Sequence, residues 1–260
     1  MEGASVRARN TFLSAALVGI LAGLISGLFG VGGGVVIVPG LVFLVGLNQR
    51  LAHGTSLAAI APIAAAALIG YLIDGLVYWE AAALLIAGSV IGAYAGTHWL
   101  HRLPIRGLQI GFGILLVVAA ARLFVSIGPG IAQRDLTLTV GVALAVVGLF
   151  AGALSGMMGV GGGIVMVPAM VILFGIPDAV AKGTSLAVIL PTAAVGTIRN
   201  LANRNADLKM AAVVGAAGIA SAFIASRIAV DLNPRLSQAL FGGFLVLVAA
   251  RTFAQARRGY

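Results

Sequence analysis

The chain has 260 residues, 61% hydrophobic and 9% charged, with 16 Lys and Arg against 7 Asp and Glu for a formal net charge of +9. An ordinary soluble domain carries about 25% charged residues, so a soluble protein is excluded, and the mean hydropathy of +1.13 describes a polypeptide that lives in lipid along its whole length. The basic residues sit singly or in pairs at the ends of apolar segments, a topology signal and not a nucleic-acid surface, while zero cysteines exclude disulfides, thiolate metal sites and a cysteine nucleophile.

Met1 to Leu21 places two arginines before an apolar run and so resembles a signal peptide. The run continues into a glycine motif, which identifies it as an uncleaved first membrane helix. The apolar stretch Phe12 to Leu47 is too long for one span: as a helix it would measure about 54 Å at 1.5 Å per residue, against a hydrocarbon core of about 30 Å. It contains Ser26-Gly27-Leu28-Phe29-Gly30-Val31-Gly32-Gly33-Gly34. Glycine disfavours a helix interior by about 1 kcal/mol relative to Ala, and three in a row free the backbone to reverse. The stretch is therefore expected to break there and return as a hairpin.

Three ordinary helical segments follow, near Thr55 to Ile73, Ala81 to Leu100 and Gly107 to Val125. Gly54-Thr55-Ser56 reads as a helix start with hydroxyl caps, and His53 before it as an exposed loop cation. Pro62, about two turns inside, is expected to kink its helix. Gly88, Gly92 and Gly96 recur every fourth residue as a packing seam.

Beyond Asp135 the chain writes itself again at an offset of 129 residues, and 20 of the 36 positions from Gly27 to Pro62 are identical in the second copy. Ser155-Gly156-Met157-Met158-Gly159-Val160-Gly161-Gly162-Gly163 repeats the glycine motif, Gly183-Thr184-Ser185 the helix start, and Pro191 the proline. Gln109, Phe112, Ala121-Arg122 and Phe124 fall on Gln238, Phe241, Ala250-Arg251 and Phe253. The second overlong stretch, Leu136 to Ile176, is followed by spans near Thr184 to Leu201, Leu208 to Ile228 and Leu236 to Phe253. The fold class expected is an all-α polytopic membrane protein of two homologous repeats, 1–128 and 129–260, each a Gly-broken helical hairpin plus three transmembrane helices. A hairpin and three crossings make an odd net number, so the second copy is expected upside down, an inverted repeat. That arrangement puts 11 Lys and Arg on the N-terminal face against 5 on the other, whereas a parallel repeat with one broken crossing gives 10 against 6. Either way both termini are expected in the cytoplasm.

Gly32 to Gly34 and Gly161 to Gly163 would open short helices inside the membrane, so that unpaired N–H groups and the positive dipole end point at one spot. Two such ends converging by symmetry make an anion site of backbone. A nucleotide-phosphate loop is excluded, because no Lys-Ser or Lys-Thr follows the glycines. The candidate substrate-binding residues are Gly30, Gly32, Gly33, Gly34, Thr55, Ser56 and Pro62 in the first repeat. In the second they are Gly159, Gly161, Gly162, Gly163, Lys182, Thr184, Ser185, Pro191 and Arg199. Pro62 and Pro191 would shape the cavity, while Lys182 and Arg199 would add positive charge, with an exposed loop cation as the plainer reading of Lys182 and snorkelling that of Arg199.

All seven acidic residues, Glu2, Asp74, Glu80, Asp135, Asp178, Asp207 and Asp231, fall at segment ends or loops, so no carboxylate is expected inside the membrane to relay protons or bind Na⁺. An anion leaving an inside-negative cell gains about 2.3 kcal/mol per charge per 100 mV, so export needs no coupling ion. An intramembrane hydrolase is disfavoured: His53, His98 and His101 sit at segment ends and none is duplicated. The chain is expected to be no enzyme, with no metal or cofactor. Its expected partners are the bilayer and a small anion, with no nucleic acid, and a homo-oligomer is compatible with the pattern. A passive anion or small-solute channel fits the broken helices equally well.

Two copies of G-x-x-G-x-G-G-G, each followed by a hydroxyl-rich Gly-Thr-Ser segment, resemble the TauE/SafE family of membrane transporters over almost the whole chain. The resemblance implies a multi-pass inner-membrane permease that moves small sulfur oxyanions or organosulfonates, such as sulfite, sulfoacetate or thiosulfate, usually outward. The family's glycine motif falls on Gly27, Gly30 and Gly32 to Gly34 and on Gly156, Gly159 and Gly161 to Gly163; its second motif falls on Gly54 to Ser56 and Gly183 to Ser185. One departure is local. The family's short G-x-(V/I)-(D/R)-W segment is recognisable in Gly75-Leu76-Val77-Tyr78-Trp79 but degenerate in Asn205-Ala206-Asp207-Leu208.

Overall fold

The computed structural model describes residues 2–99, 110–111, 113–114, 116–121 and 137–258. Besides helical pieces between 110 and 121, the described residues form nine continuously described helices and no strand: α1 Glu2–Phe29, α2 Gly34–Gly40 (continued by a π-helical turn, Leu41–Val45), α3 Gln49–Leu72, α4 Trp79–Trp99, α5 Leu138–Met158, α6 Gly163–Phe174, α7 Asp178–Ala202, α8 Leu208–Asp231 and α9 Pro234–Arg258. Seven of these, all but α2 and α6, are long and apolar enough to cross a membrane. Large apolar side chains such as Leu13, Phe43, Ile91, Phe150 and Leu247 point outward from the helices, as lipid-facing residues do. The segment expected at 107–125 is helical where it is described, between 110 and 121. His101, Asp135 and the match at Phe112, Arg122 and Phe124 lie outside the described residues.

Both glycine motifs break their helices. Gly30, Gly32 and Gly33 have φ of 68°, 82° and 79°, and Gly159, Gly161 and Gly162 have 67°, 90° and 76°, a region that only glycine enters freely. The chain then doubles back: a β-carbon built on Gly33 would stand 2.6 Å from the carbonyl oxygen of Ala22, and one on Gly40 would touch Val18 at 2.5 Å. Helix α2 thus returns along α1. In the second half a β-carbon on Gly162 would lie 2.9 Å from the carbonyl oxygen of Ala151, the position 129 residues after Ala22.

The long helices pack across the halves. Glycines 19, 23 and 27 of α1 let it sit directly on the backbone of α8 at Val214, Gly218 and Ala222, both chains running the same way. Glycines 88, 92 and 96 of α4, the expected seam, do the same to α5 at Ala145, Leu149 and Ala153, and glycines 148 and 152 of α5 answer at Leu85 and Ser89. Each half therefore lends one helix to the other. Helices α3 and α7 cross between these pairs in opposite senses, with residues 54, 57 and 71 of α3 lying against residues 200, 196 and 183 of α7.

Two helix boundaries depart from the sequence expectation. Helix α3 starts at Gln49 under Asn48, whose Oδ1 accepts the N–H of Leu51 at 2.9 Å. Helix α7 starts at Asp178, an acid in the first turn where the helix dipole favours it. Gly54-Thr55-Ser56 and Gly183-Thr184-Ser185 consequently lie inside helices and cap neither. Glycine is required at 54 and 183 because the carbonyl oxygens of Asn205 and Leu76 press against those two Cα atoms.

Candidate functional site

The two glycine turns meet. A β-carbon on Gly34 would stand 2.5 Å from the carbonyl oxygen of Gly159 and 2.7 Å from Val160 Cα; one on Gly163 would stand 2.7 Å from the carbonyl oxygen of Gly30 and 2.8 Å from Val31 Cα. These contacts exchange when 129 is added to one residue and subtracted from the other, the reciprocity of an isologous two-fold contact. Ile60 and Ile189, themselves 129 apart and fully buried, flank the meeting point beside Gly32.

The first bonds of α2 run from the N–H groups of Val36 and Ile37 to the Gly33 carbonyl, at 3.0 and 3.1 Å. Those of α6 run from Val165 and Met166 to Gly162, at 3.1 and 3.2 Å. The N–H groups of Gly34, Val35, Gly163 and Ile164 are left without an intrahelical acceptor, and no side chain caps either helix. Three fully buried hydroxyls near the turns lack a hydrogen-bond partner: Ser26, Ser155 and Ser185. Ser26 and Ser155 are themselves a pair at the 129-residue offset, and their carbonyls accept the N–H of Gly30 and Gly159 at 2.8 Å. Sequence reasoning passed over these two serines because they sit inside the glycine motif and look like small packing residues.

The other sequence candidates divide between this centre and the periphery. Ser56 donates to the carbonyl of Gly159 at 2.8 Å, and Ser185 Oγ borders Gly163, where a β-carbon would come within 2.8 Å of it. Lys182 abuts the first turn, since a β-carbon on Gly30 would stand 2.7 Å from its Cα. The exposed-cation reading of Lys182 fails, because its side chain is 1% exposed and bonded at 2.7 Å to Asp178, one turn earlier on α7. The reason is the extra helix from Asp178 to Gly183, which carries both side chains into the core. Asp178 lies at a segment end, as expected of every acid, but as a buried carboxylate. His53, at the position equivalent to Lys182, is inside α3, and its Nδ1 pairs with the carbonyl of Met157 at 3.1 Å.

Thr55 and Thr184 face away from the turns. Thr55 Oγ1 accepts the N–H of Asp207 and Thr184 Oγ1 that of Tyr78, each at 2.9 Å, so each hydroxyl anchors the entry to a helix of the other half. These are backbone contacts, and so are those of Asn205 and Leu76 on Gly54 and Gly183; that is why the degenerate Asn205-Ala206-Asp207 segment can serve where Leu76-Val77-Tyr78 does. Even the turn is copied, with Arg204 at φ 55° where Gly75 has 66°. Thr55→Val and Thr184→Val should each lower stability by about 1–3 kcal/mol, the cost of a buried N–H left unpaired, and leave anion affinity unchanged. Denaturant melts and calorimetry on the same preparations test this, and a loss of affinity without a loss of stability counts against it.

Pro62 and Pro191 lie within α3 and α7, the Pro62 ring packing against Gly215 of α8. Arg199 is drawn off elsewhere: its guanidinium donates to the carbonyl of Tyr94 at 2.7 Å and stacks 4.0 Å above that ring.

The family description "Sulfite exporter TauE/SafE" matches residues 2–123 and again 144–259. The probable membrane transporter protein YunE of Bacillus subtilis (strain 168) is 29% identical over 217 residues, covering 74% of this chain and 78% of its own. A probable membrane transporter protein of Xylella fastidiosa (strain 9a5c) is 27% identical over 236 residues, covering 89% and 90%. Another, from Xylella fastidiosa (strain Temecula1 / ATCC 700964), is 29% identical over 241 residues with the same coverage.

Proposed function

The chain belongs to the sulfite exporter TauE/SafE family, and from that premise we propose that it exports a small anion, a sulfur oxyanion or organosulfonate of the sulfite, sulfoacetate and thiosulfate class. The observation that carries the reading is the contact between two glycine turns, each presenting N–H groups without helical partners beside buried hydroxyls that also lack one. Such a centre offers an oxyanion donors on two sides and no fixed negative charge of its own. The opposed directions of α3 and α7 support an inverted repeat, halves 1–128 and 129–260 related by a two-fold axis in the membrane plane. With both termini on the cytoplasmic side of the inner membrane, rocking of one half against the other would expose the turns to each face alternately. At rest Asp178, the one acid buried among the described residues, is tied to Lys182, so no free carboxylate waits there for a coupling ion. Efflux is accordingly driven by the membrane potential, about 2.3 kcal/mol per charge per 100 mV.

The test is sulfite, thiosulfate and sulfoacetate efflux from proteoliposomes. It should saturate, show counterflow, follow an imposed potential, and persist without Na⁺ or a proton gradient. Flux that neither saturates nor shows counterflow would make the protein a passive channel, and loss of efflux on collapsing the proton gradient at constant potential would sink the uncoupled mechanism.

A further inference from the structure

The second half contains a polar cluster that the first half does without. Lys182 Nζ lies 2.7 Å from Asp178 Oδ2 and 2.5 Å from Ser237 Oγ, and Ser237 donates to the same Asp178 oxygen at 2.8 Å. Asp178 Oδ1 is buried and accepts no hydrogen bond. The ammonium is bounded by the rings of Phe29 and Phe241, each 6.0 Å away at its centroid, and Phe29 is the residue that leads into the first glycine turn. Subtracting 129 from 178, 182 and 237 gives Gln49, His53 and Leu108. The first half thus carries no acid at any of the three equivalent positions.

That comparison bears on why the pair is there. Burying an ammonium and a carboxylate recovers at best what their desolvation costs, and well-packed neutral residues serve a fold as well or better. The first half of this protein is an example. Charged residues kept within membrane segments belong as a rule to the path of a substrate or ion, and this one stands against the turn where an anion would sit.

We propose that Asp178 is a resident counter-ion of Lys182, which the transported anion displaces, so that Lys182 is the charged, affinity-setting group of the site and Asp178 the group that releases substrate. The inference rests on the anion-transport reading above. A carboxylate oxygen and a sulfur oxyanion oxygen are equivalent acceptors for an ammonium. Exchanging one for the other leaves Lys182 paired throughout, whereas an ammonium without a competitor would hold the anion and slow its departure. The unpartnered Oδ1 fits a carboxylate held on one side only, and Ser237 touches both groups and so can follow either. Because only one half carries the pair, the two sides of the pseudo-symmetric centre are unequal in charge and so in affinity.

The test uses full-length protein with sulfite as probe, binding by calorimetry and efflux from proteoliposomes. Asp178→Asn should bind sulfite about tenfold more tightly and release it more slowly, and Asp178→Asn/Lys182→Met, neutral like the first half, should bind about tenfold more weakly than wild type, as expected for one charge-assisted hydrogen bond. If the single variant does not fold, the double variant decides. Wild-type affinity in the double variant overturns the proposal and leaves anion transport standing. Wild-type affinity in Asp178→Asn beside a weakened double variant overturns the displacement. Failure of the wild-type protein to bind sulfite, thiosulfate or sulfoacetate removes the anion reading, and this inference with it.

Discussion

Gly34→Ala and Gly163→Ala are expected to abolish anion transport, although alanine is the better helix former at both positions. Neither glycine has a positive φ, so the backbone itself would accept a side chain. The obstacle is the opposite turn. At Gly34 the new methyl would stand 2.5 Å from the carbonyl oxygen of Gly159, and at Gly163 it would stand 2.7 Å from that of Gly30. Both obstacles are backbone, which cannot rotate aside as a side chain does, so the turns must separate and their N–H groups no longer converge. Overpacking of this kind lowers stability by about 1–3 kcal/mol, and the loss of transport should exceed anything that figure explains. Gly46→Ala and Gly75→Ala make the contrast. They have φ of 81° and 66° with nothing within 4 Å of the new carbon, so they should lose about 1–2 kcal/mol through backbone strain alone and still transport. Melting, measured on monodisperse protein, should therefore scarcely separate the two pairs, while counterflow separates them completely. Gly33→Val and Gly162→Val combine a positive φ with a clash and should bind no anion. Normal binding by these variants together with none by Lys182→Ala would show a site made of cationic side chains and end the backbone mechanism.

Gly92→Leu and Gly152→Leu are expected to prevent assembly. Between α4 and α5 there is no room for a side chain of any kind at these positions: the Leu149 carbonyl lies against Gly92 and the Ser89 carbonyl against Gly152. In lipid the helices gain little from apolar burial and depend on close packing, so a side chain that forces the axes apart removes the attraction along the whole seam. The loss should exceed about 4 kcal/mol, the range reserved for gross disruption, and read out as aggregation or failure to elute as a single species. Gly243→Leu on α9 has open space around it and should be neutral or slightly stabilising, since leucine forms helix better than glycine by roughly 1 kcal/mol. A well-folded Gly92→Leu protein would mean that α4 and α5 are not packed as described.

The glycine turns were legible because two local signals agreed: a stretch too long for the bilayer and a run of residues that only a reversal explains. Their meeting was legible only through the duplication, since no local property of Gly34 points to Gly159. The misreadings share one cause. Gly54-Thr55-Ser56 has the composition of a helix start, and nothing nearby in sequence says that the Gly54 Cα is pressed by Asn205 or that the Thr55 hydroxyl accepts from Asp207. Placing the start of α7 at Thr184 left Lys182 outside the helix and therefore outside the core. Asp178 was hidden by the same error, because an acid at a segment end and an acid in the first buried turn differ only in where the segment begins. Its partner Ser237 is 59 residues away, in a helix that composition alone marks as an ordinary span.

The lending of helices between the halves governs how the chain must be made. When α1 and α4 enter the bilayer during synthesis, the surfaces they are shaped to meet do not yet exist: α5 is Leu138–Met158 and α8 is Leu208–Asp231. The glycine face of α4 must wait bare in lipid until α5 is made, and that of α1 until the ribosome has produced the last third of the protein. Contacts so distant in sequence are slow to form, and a nascent chain released before α8 would hold the α1 seam open to any neighbour. Duplication here did not yield two modules that fold and then dock. It yielded a pair of incomplete templates, each finished only by the other, so that quality control of this polypeptide is necessarily a judgement on its second half.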